Sequence, residues 1–160
     1  MKFNALLLLL IFSAGTFAQG MSNTHAFEKS GFYAAMASES LNEINSQLTV
    51  LKAQSFPEKQ AYEGALLMKK AGIVNGAKEK ISLFKSGRSK LEASIGKESN
   101  NVEYRFLRLM IQEHAPKIVK YRSNVEEDSK IILSNFKNLS PTLQQVITDY
   151  SKNSTALKTL

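Results

Sequence analysis

The stretch Asn100–Pro116 (NNVEYRFLRLMIQEHAP) is apolar on almost every side when it is wound as an α-helix. At about 100° per residue, only a narrow polar stripe remains, made of Arg105, Arg108 and Gln112. A helix that is apolar nearly all round is buried among several neighbours. We therefore predict that this stretch is the central helix of the fold, capped by an asparagine at its start and ended near Pro116.

Apolar residues recur three and four positions apart through most of the remaining chain, as is typical of amphipathic helices. We find no alternation of apolar and polar residues that would indicate a strand, and no hairpin signal. The other predicted helices are Phe32–Ala53, Pro57–Ala71, Ala77–Ile95, Val125–Phe136 and Thr142–Tyr150, with a further short turn at Pro116–Tyr121. We therefore expect an all-α protein, a helical bundle or stacked helical hairpins of about five to six helices.

The ends of the chain lack this pattern. Lys2, the apolar run Ala5–Phe12 and the small residues up to Ala18 are typical of a cleaved secretory signal peptide, which we predict over residues 1–18. The run is too short to cross a membrane, which takes about 20 residues. We predict a flexible segment at 19–31, a single helical domain at 32–150 and a frayed tail at 151–160.

Composition refines this picture. The chain contains no cysteine, so disulfides and a lipoprotein anchor are excluded, and the leader predicts a periplasmic or secreted protein. The net charge of +7 would allow association with an anionic envelope surface, although it also simply favours solubility. The 21 basic residues comprise lysines spread along the whole chain and four arginines that all fall between positions 88 and 122. Because arginine suits specific pairing and lysine suits solvated surface, the arginines are the more informative group.

The polar stripe of the central helix allows two interpretations. In one, Arg105 and Arg108 pair inside the protein and lock its helices together. The candidate acids for that pairing are Glu39, Glu43 and the Glu126–Asp128 segment. In the other, the two arginines and Gln112 recognise a carboxylate or phosphate of a partner.

Two more residues join the candidate binding set. Tyr104 lies next to Arg105 in the central helix. Arg88 falls in the middle of an apolar helix face, where a charged group must extend to solvent or find a partner, and Glu92 lies one turn further on. The complete candidate set is therefore Tyr104, Arg105, Arg108, Gln112 and Arg88.

Motifs for catalysis are scarce. Serine catalysis needs a histidine base, and the two histidines are His25, in the predicted flexible segment, and His114. We find no spacing of metal ligands, no phosphate-binding loop and no cofactor motif, and export argues against a nucleic-acid partner. An acid/base enzyme that uses Glu103 or Glu113 in a helical cleft remains an alternative.

Two short motifs carry a resemblance. Leu91-Glu92-Ala93 at the end of one helix and Asn100-Asn101-Val102-Glu103 at the start of the next resemble the junctions of tetratricopeptide-type helical hairpins. The stretch EYRFLRLMIQEHAP is similar to small exported helical proteins of Bacteroidetes, a resemblance that supplies no activity. We expect a non-catalytic binding or scaffold module of the cell envelope, whose partner is another envelope protein or a second copy of the chain.

Overall fold

The computed structural model describes residues 27–160, and this part of the chain is all-helical, as predicted. Its seven α-helices between those residues are α1 (Lys29–Ala37), α2 (Leu41–Ala53), α3 (Lys59–Ile73), α4 (Ala77–Lys97), α5 (Val102–His114), α6 (Val125–Asn135) and α7 (Pro141–Ser151). Short 3-10 turns follow α5 and α6, at Lys117–Val119 and Phe136–Asn138. The predicted leader and His25 lie outside the described residues.

Helix α5 is the predicted central helix. The side chain of Asn101 accepts a hydrogen bond from the backbone N–H of Tyr104 at 3.2 Å, which caps the start of the helix. The helix ends at His114, just before Pro116, because a residue that precedes proline disfavours the helical conformation. Phe106, Leu107 and Leu109, which fall within about one turn of the helix, are fully buried.

Helices α3 and α4 form an antiparallel hairpin whose backbones touch where two glycines meet. A Cβ atom on Gly87 would lie 2.5 Å from the carbonyl oxygen of Gly64, and a Cβ on Gly64 would lie 2.7 Å from that of Gly87. Any side chain at either position would therefore push the helices apart. Beyond this crossing, Leu91 and Ile95 of α4 are buried in the core.

The predicted single helix Phe32–Ala53 is wrong, because the chain forms α1 and α2 with a break at residues 38–40. The side chain of Ser40 accepts a hydrogen bond from the backbone N–H of Glu43 at 3.3 Å and so caps the new helix. The apolar stripe continues in phase across the break, which is why periodicity did not reveal it. The pattern Ser40-x-x-Glu43 is the signal of a second helix start.

Packing against the core begins nearer the N-terminus than predicted. Helix α1 begins at Lys29, inside the segment 19–31 that was predicted to be flexible. Phe27 stacks on Phe56 with ring centroids 5.0 Å apart and contacts the ring of Tyr62 at 4.8 Å. These ring contacts hold the start of α1 against α3, while residues 19–26 lie outside the described part.

The C-terminal end is packed as well, and the prediction of a frayed tail at 151–160 is wrong. Leu157 is fully buried and Ser154 is nearly so. The tail is anchored because it bonds to a glutamate at the end of α5. Residues 151–160 contain only two large apolar residues, Leu157 and Leu160, which are too few to form a helical stripe, so periodicity could not predict this packing.

Candidate functional site

The two arginines of the predicted stripe converge on one buried carboxylate. Asp128, in the first turn of α6, has no solvent exposure. Arg108 binds it through two nitrogens, Nε to Oδ2 at 2.7 Å and Nη2 to Oδ1 at 2.8 Å, and Arg105 adds a bond from Nη1 to Oδ1 at 3.0 Å. Bidentate, charge-assisted hydrogen bonds of this kind are among the strong ones. Helices α5 and α6 are thus joined by a closed ion cluster.

Two carboxylates nearer the protein surface, those of Glu92 and Glu127, complete the cluster. Arg108 also donates from Nη1 to Glu92 of α4 at 3.0 Å, and Arg105 donates from Nη1 to Glu127 at 2.8 Å. Burial by itself would lower the pKa of Arg108, but the carboxylates of Asp128 and Glu92 outweigh it and raise the pKa above its ordinary value. The guanidinium therefore stays charged and ties α4, α5 and α6 together.

This arrangement agrees with the internal interpretation of the stripe. Among the candidate acids, the Glu126–Asp128 segment provides partners, whereas Glu39 pairs with Lys69 at 2.7 Å instead. The side chains of Arg105 and Arg108 are only 9% and 5% exposed. Recognition of an external partner by these arginines stays a prediction.

The other predicted residues of the central helix are also enclosed. Gln112 is fully buried and donates to the side-chain oxygen of Asn124 at 3.3 Å. The side chain of Asn124 does not cap α6, because that oxygen faces Gln112. Tyr104 is buried too, and burial, followed by the charge of Glu98, raises its pKa to about 12.

The first acid of the alternative enzyme, Glu103, is occupied by internal donors. Its carboxylate accepts from the ammonium of Lys29 at 2.6 Å and from the hydroxyls of Tyr33 and Tyr62 at 3.0 and 2.7 Å. Burial, and then the charge of Glu103, raise the pKa of both tyrosines well above the ordinary value. The hydroxyls remain protonated donors, and the group ties α1 and α3 to the start of α5.

The second acid, Glu113, anchors the C-terminal tail. Its carboxylate accepts from the hydroxyls of Tyr150 and Ser154 at 2.8 and 2.7 Å, and from the backbone N–H groups of Thr155 and Ala156 at 2.9 and 3.0 Å. Burial alone would raise the pKa of Glu113, but these hydrogen bonds outweigh it and lower the pKa. Glu103 and Glu113 are ten positions apart on α5, roughly 15 Å along its axis, so they do not converge on one site.

The open site lies elsewhere, in a groove of about 670 Å³ between the α3–α4 hairpin and the end of α5. Three methionines lie along it, one from each of three helices, at Met36, Met68 and Met110. On the α4 side, Ile81 and Phe84 form its wall, and on the other side the wall is formed by the end of α5 and the residues that follow it. A pocket of this size, lined by apolar side chains with a few polar ones, has the character of a small-molecule site.

The groove leaves large apolar side chains in contact with water. In residues 27–160, three large apolar side chains are exposed, and two of them, Ile81 at 56% and Ile118 at 88%, line the groove. Leu160, the third, is at the end of the chain. This concentration distinguishes the groove, because single exposed apolar residues scattered over a surface are ordinary.

Arg88 is the member of the predicted set that lines this groove. It does not pair with Glu92, because Glu92 is taken by Arg108 and by the hydroxyl of Tyr121, which donates to it at 2.6 Å. Instead, the guanidinium of Arg88 lies over the ring of Tyr121, 4.8 Å from its centroid. The structure thus separates Arg88 from the buried ion cluster and places it on the open surface.

The sequence did not reveal the groove, because Ile81 and Phe84 share one apolar helix face with the buried Leu91 and Ile95. The periodicity of the helix that became α4 identifies its apolar face correctly but does not tell how much of that face a neighbour covers. Two signals were available: Arg88 interrupts the face, and Ile118 stands two residues after the helix-ending Pro116.

Residues 27–160 contain no group of three or more histidine, aspartate or glutamate side chains placed to hold a metal ion. None of the helices in that range has the length and apolar character needed to cross a membrane. Comparison of the chain with protein-family models, with curated proteins and with solved structures finds no significant match. The resemblances to tetratricopeptide hairpins and to exported proteins of Bacteroidetes therefore stay predictions.

Proposed function

We propose that the protein is a non-catalytic binding module of the cell envelope, and that the groove between the α3–α4 hairpin and the end of α5 holds the apolar chain of a small amphiphile. The observation that carries this proposal is the exposure of Ile81 and Ile118 on the two sides of one apolar trough. The envelope location rests on the predicted leader at residues 1–18.

The energetics favour a ligand in this position. Covering apolar surface contributes roughly 25 cal/mol per Å², or about 0.8 kcal/mol for each buried methylene. Methionine adapts its shape readily, so Met36, Met68 and Met110 can follow the contour of a flexible chain. The remaining candidate centres favour catalysis less, because Glu103 and Glu113 are engaged by internal donors and lie apart.

A fluorescent probe tests the proposal. The purified protein is titrated with N-phenylnaphthylamine, an uncharged probe that fluoresces in apolar surroundings, beside the variants Ile81→Asn and Ile118→Asn. Leu160→Asn is the matched control, because Leu160 is also a large exposed apolar residue, 42% exposed, but does not line the groove.

We expect saturable binding to the wild type, weakened about fivefold or more by either groove variant and unchanged by the control, since each groove substitution removes about 1 kcal/mol of apolar contact. All three side chains are exposed, so the variants should keep the wild-type melting temperature. No binding, or equal weakening in Leu160→Asn, would refute the proposal. Dimerisation that Ile81→Asn abolishes would instead favour a second copy as the occupant.

A further inference from the structure

The charges around the groove lie mainly on one wall. Lys80, Lys85 and Arg88 all line it from α4. None of the three takes part in a salt bridge among the described residues. The acid on the lining, Glu39, is already neutralised by Lys69 at 2.7 Å. The α4 wall therefore presents uncompensated positive charge beside an apolar trough.

The opposite wall differs in character. It is formed by apolar residues at the end of α5 and in the segment that follows, including Met110, Ile111 and Ile118, with His114 as its polar member. A ligand that fits both walls needs an apolar body and a negative group on the α4 side. Electrostatic complementarity of this kind determines which partner is accepted and how it is oriented.

Arg88 is the best-placed of the three cations to hold a negative group. Its guanidinium lies 4.8 Å from the centroid of the Tyr121 ring. That ring is itself fixed, because its hydroxyl donates to Glu92 at 2.6 Å and its edge packs against Phe84 with centroids 5.6 Å apart. Stacking on a fixed ring orients the planar guanidinium and leaves its N–H groups available to bind a carboxylate or phosphate in a bidentate manner.

We propose that the ligand is a free, single-chain anionic amphiphile whose head binds Arg88 on the α4 wall while its chain lies along the methionine-lined trough. This inference rests on the proposed function and adds the sign and position of the head group. The concave shape and the volume of about 670 Å³ suit one molecule within the trough rather than a flat membrane surface. A symmetric dimer through this face would bring two positively charged α4 walls together, which opposes a second copy.

Displacement of the uncharged probe by amphiphiles of equal chain length tests the head group. The competitors are dodecanoate, neutral monododecanoylglycerol and cationic dodecyltrimethylammonium, each below its micelle-forming concentration. They are compared on the wild type, on Arg88→Gln and on Lys97→Gln. Lys97 is the matched control, because it is an exposed cation of the same helix that does not line the groove.

We expect dodecanoate to compete at about tenfold lower concentration than the neutral ester, the factor that one charge-assisted hydrogen bond supplies, and the cationic amphiphile to compete most weakly. Arg88→Gln should remove this preference for dodecanoate, whereas Lys97→Gln should retain it. Raising the salt concentration should weaken the preference without abolishing it, because the head group is only partly shielded from solvent.

Each contrary result overturns a distinct part of the proposal. Equal competition by dodecanoate and the neutral ester would refute the anionic head and leave the apolar groove standing. Competition by none of the three would refute both. Binding to vesicles that contain an anionic lipid, with no competition from dodecanoate, would replace the free amphiphile by a membrane surface. Retention of the preference in Arg88→Gln would refute the role of Arg88.

Discussion

The two halves of α4 carry the same apolar stripe but meet different surroundings. After Gly87, Leu91 and Ile95 are buried against the core, and Glu92 joins the arginine cluster through Arg108. From Ala77 to Arg88, the helix lines the open groove, and Ile81 there is 56% exposed. The glycine contact with α3, at Gly87, lies close to the junction of the two halves.

One amphipathic helix can thus stabilise the fold with one half and form the wall of a binding site with the other. The closed half is held by groups that are satisfied inside the protein. The open half combines the exposed side chain of Ile81 with cations that form no salt bridge among residues 27–160. We therefore expect substitutions in the closed half to change stability and substitutions in the open half to change binding.

The largest effect should come from Arg108→Ala. Removing Arg108 leaves the fully buried Asp128 without its bidentate partner, which typically costs about 3–5 kcal/mol of the free energy of unfolding. Urea denaturation measures this loss. Arg122→Ala is the matched control, because Arg122 is exposed and donates only to the carbonyl oxygen of Glu113. A similar loss in both variants would mean that the cluster does not hold the closed half.

The comparison within α4 is tested next by two truncations of the same face. Leu91→Ala should lower the free energy of unfolding by about 2–5 kcal/mol, because Leu91 has no solvent exposure. Ile81→Ala should lower it by about 0.5 kcal/mol or less, since Ile81 is largely exposed. Thermal or urea denaturation gives both values, and equal losses would show that the two halves are packed alike.

Alanine substitutions at two glycines of α4 should change the free energy of unfolding by smaller amounts and in opposite directions. Gly87→Ala places a Cβ atom 2.5 Å from the carbonyl oxygen of Gly64, and such overpacking costs about 1–3 kcal/mol. Gly96→Ala meets no atom within 4 Å, so it should stabilise α4 by about 0.5–1 kcal/mol. If Gly87→Ala also stabilised the protein, the close backbone contact between α3 and α4 at this glycine would be refuted.

The smallest and most local effect concerns Glu113, which anchors the tail behind the wall opposite α4. Because its pKa is lowered in the folded state, its contribution is present at neutral pH and is lost as the pH falls below the unfolded value of about 4.3 and through the lower folded value. Hydrogen exchange should report this as faster opening at the amides of Thr155 and Ala156 in acid. Glu113→Gln should already show it at neutral pH, and unchanged protection in that variant would contradict the anchoring.

Much of the fold could be predicted from the sequence, and particular residues show where prediction stopped. The pattern around Leu109 identified the central helix, and arginine chemistry pointed to internal pairing with the segment that contains Asp128 as one of two interpretations. The break before Ser40 could not be read from periodicity, because the apolar stripe is continuous there.

The groove could not be predicted because it depends on distance between helices rather than on which face is apolar. Ile81 and Leu91 lie on the same apolar stripe, yet only Leu91 is covered by neighbours. Arg88 was recognised as unusual in an apolar face, but its contact with Tyr121 joins residues 33 positions apart. No local sequence pattern indicates a contact between residues so far apart in the chain.

Ligand binding by the open half of α4 is tested most directly by methyl NMR of isoleucine-labelled protein during titration with dodecanoate. We expect saturable shifts of the Ile81 and Ile118 methyl signals, on the two sides of the groove, whereas the signal of the buried Ile95 methyl, further along α4, should not shift. Absent shifts at Ile81 and Ile118, or shifts as large at Ile95, would contradict the claim that the open half of α4 is a binding wall.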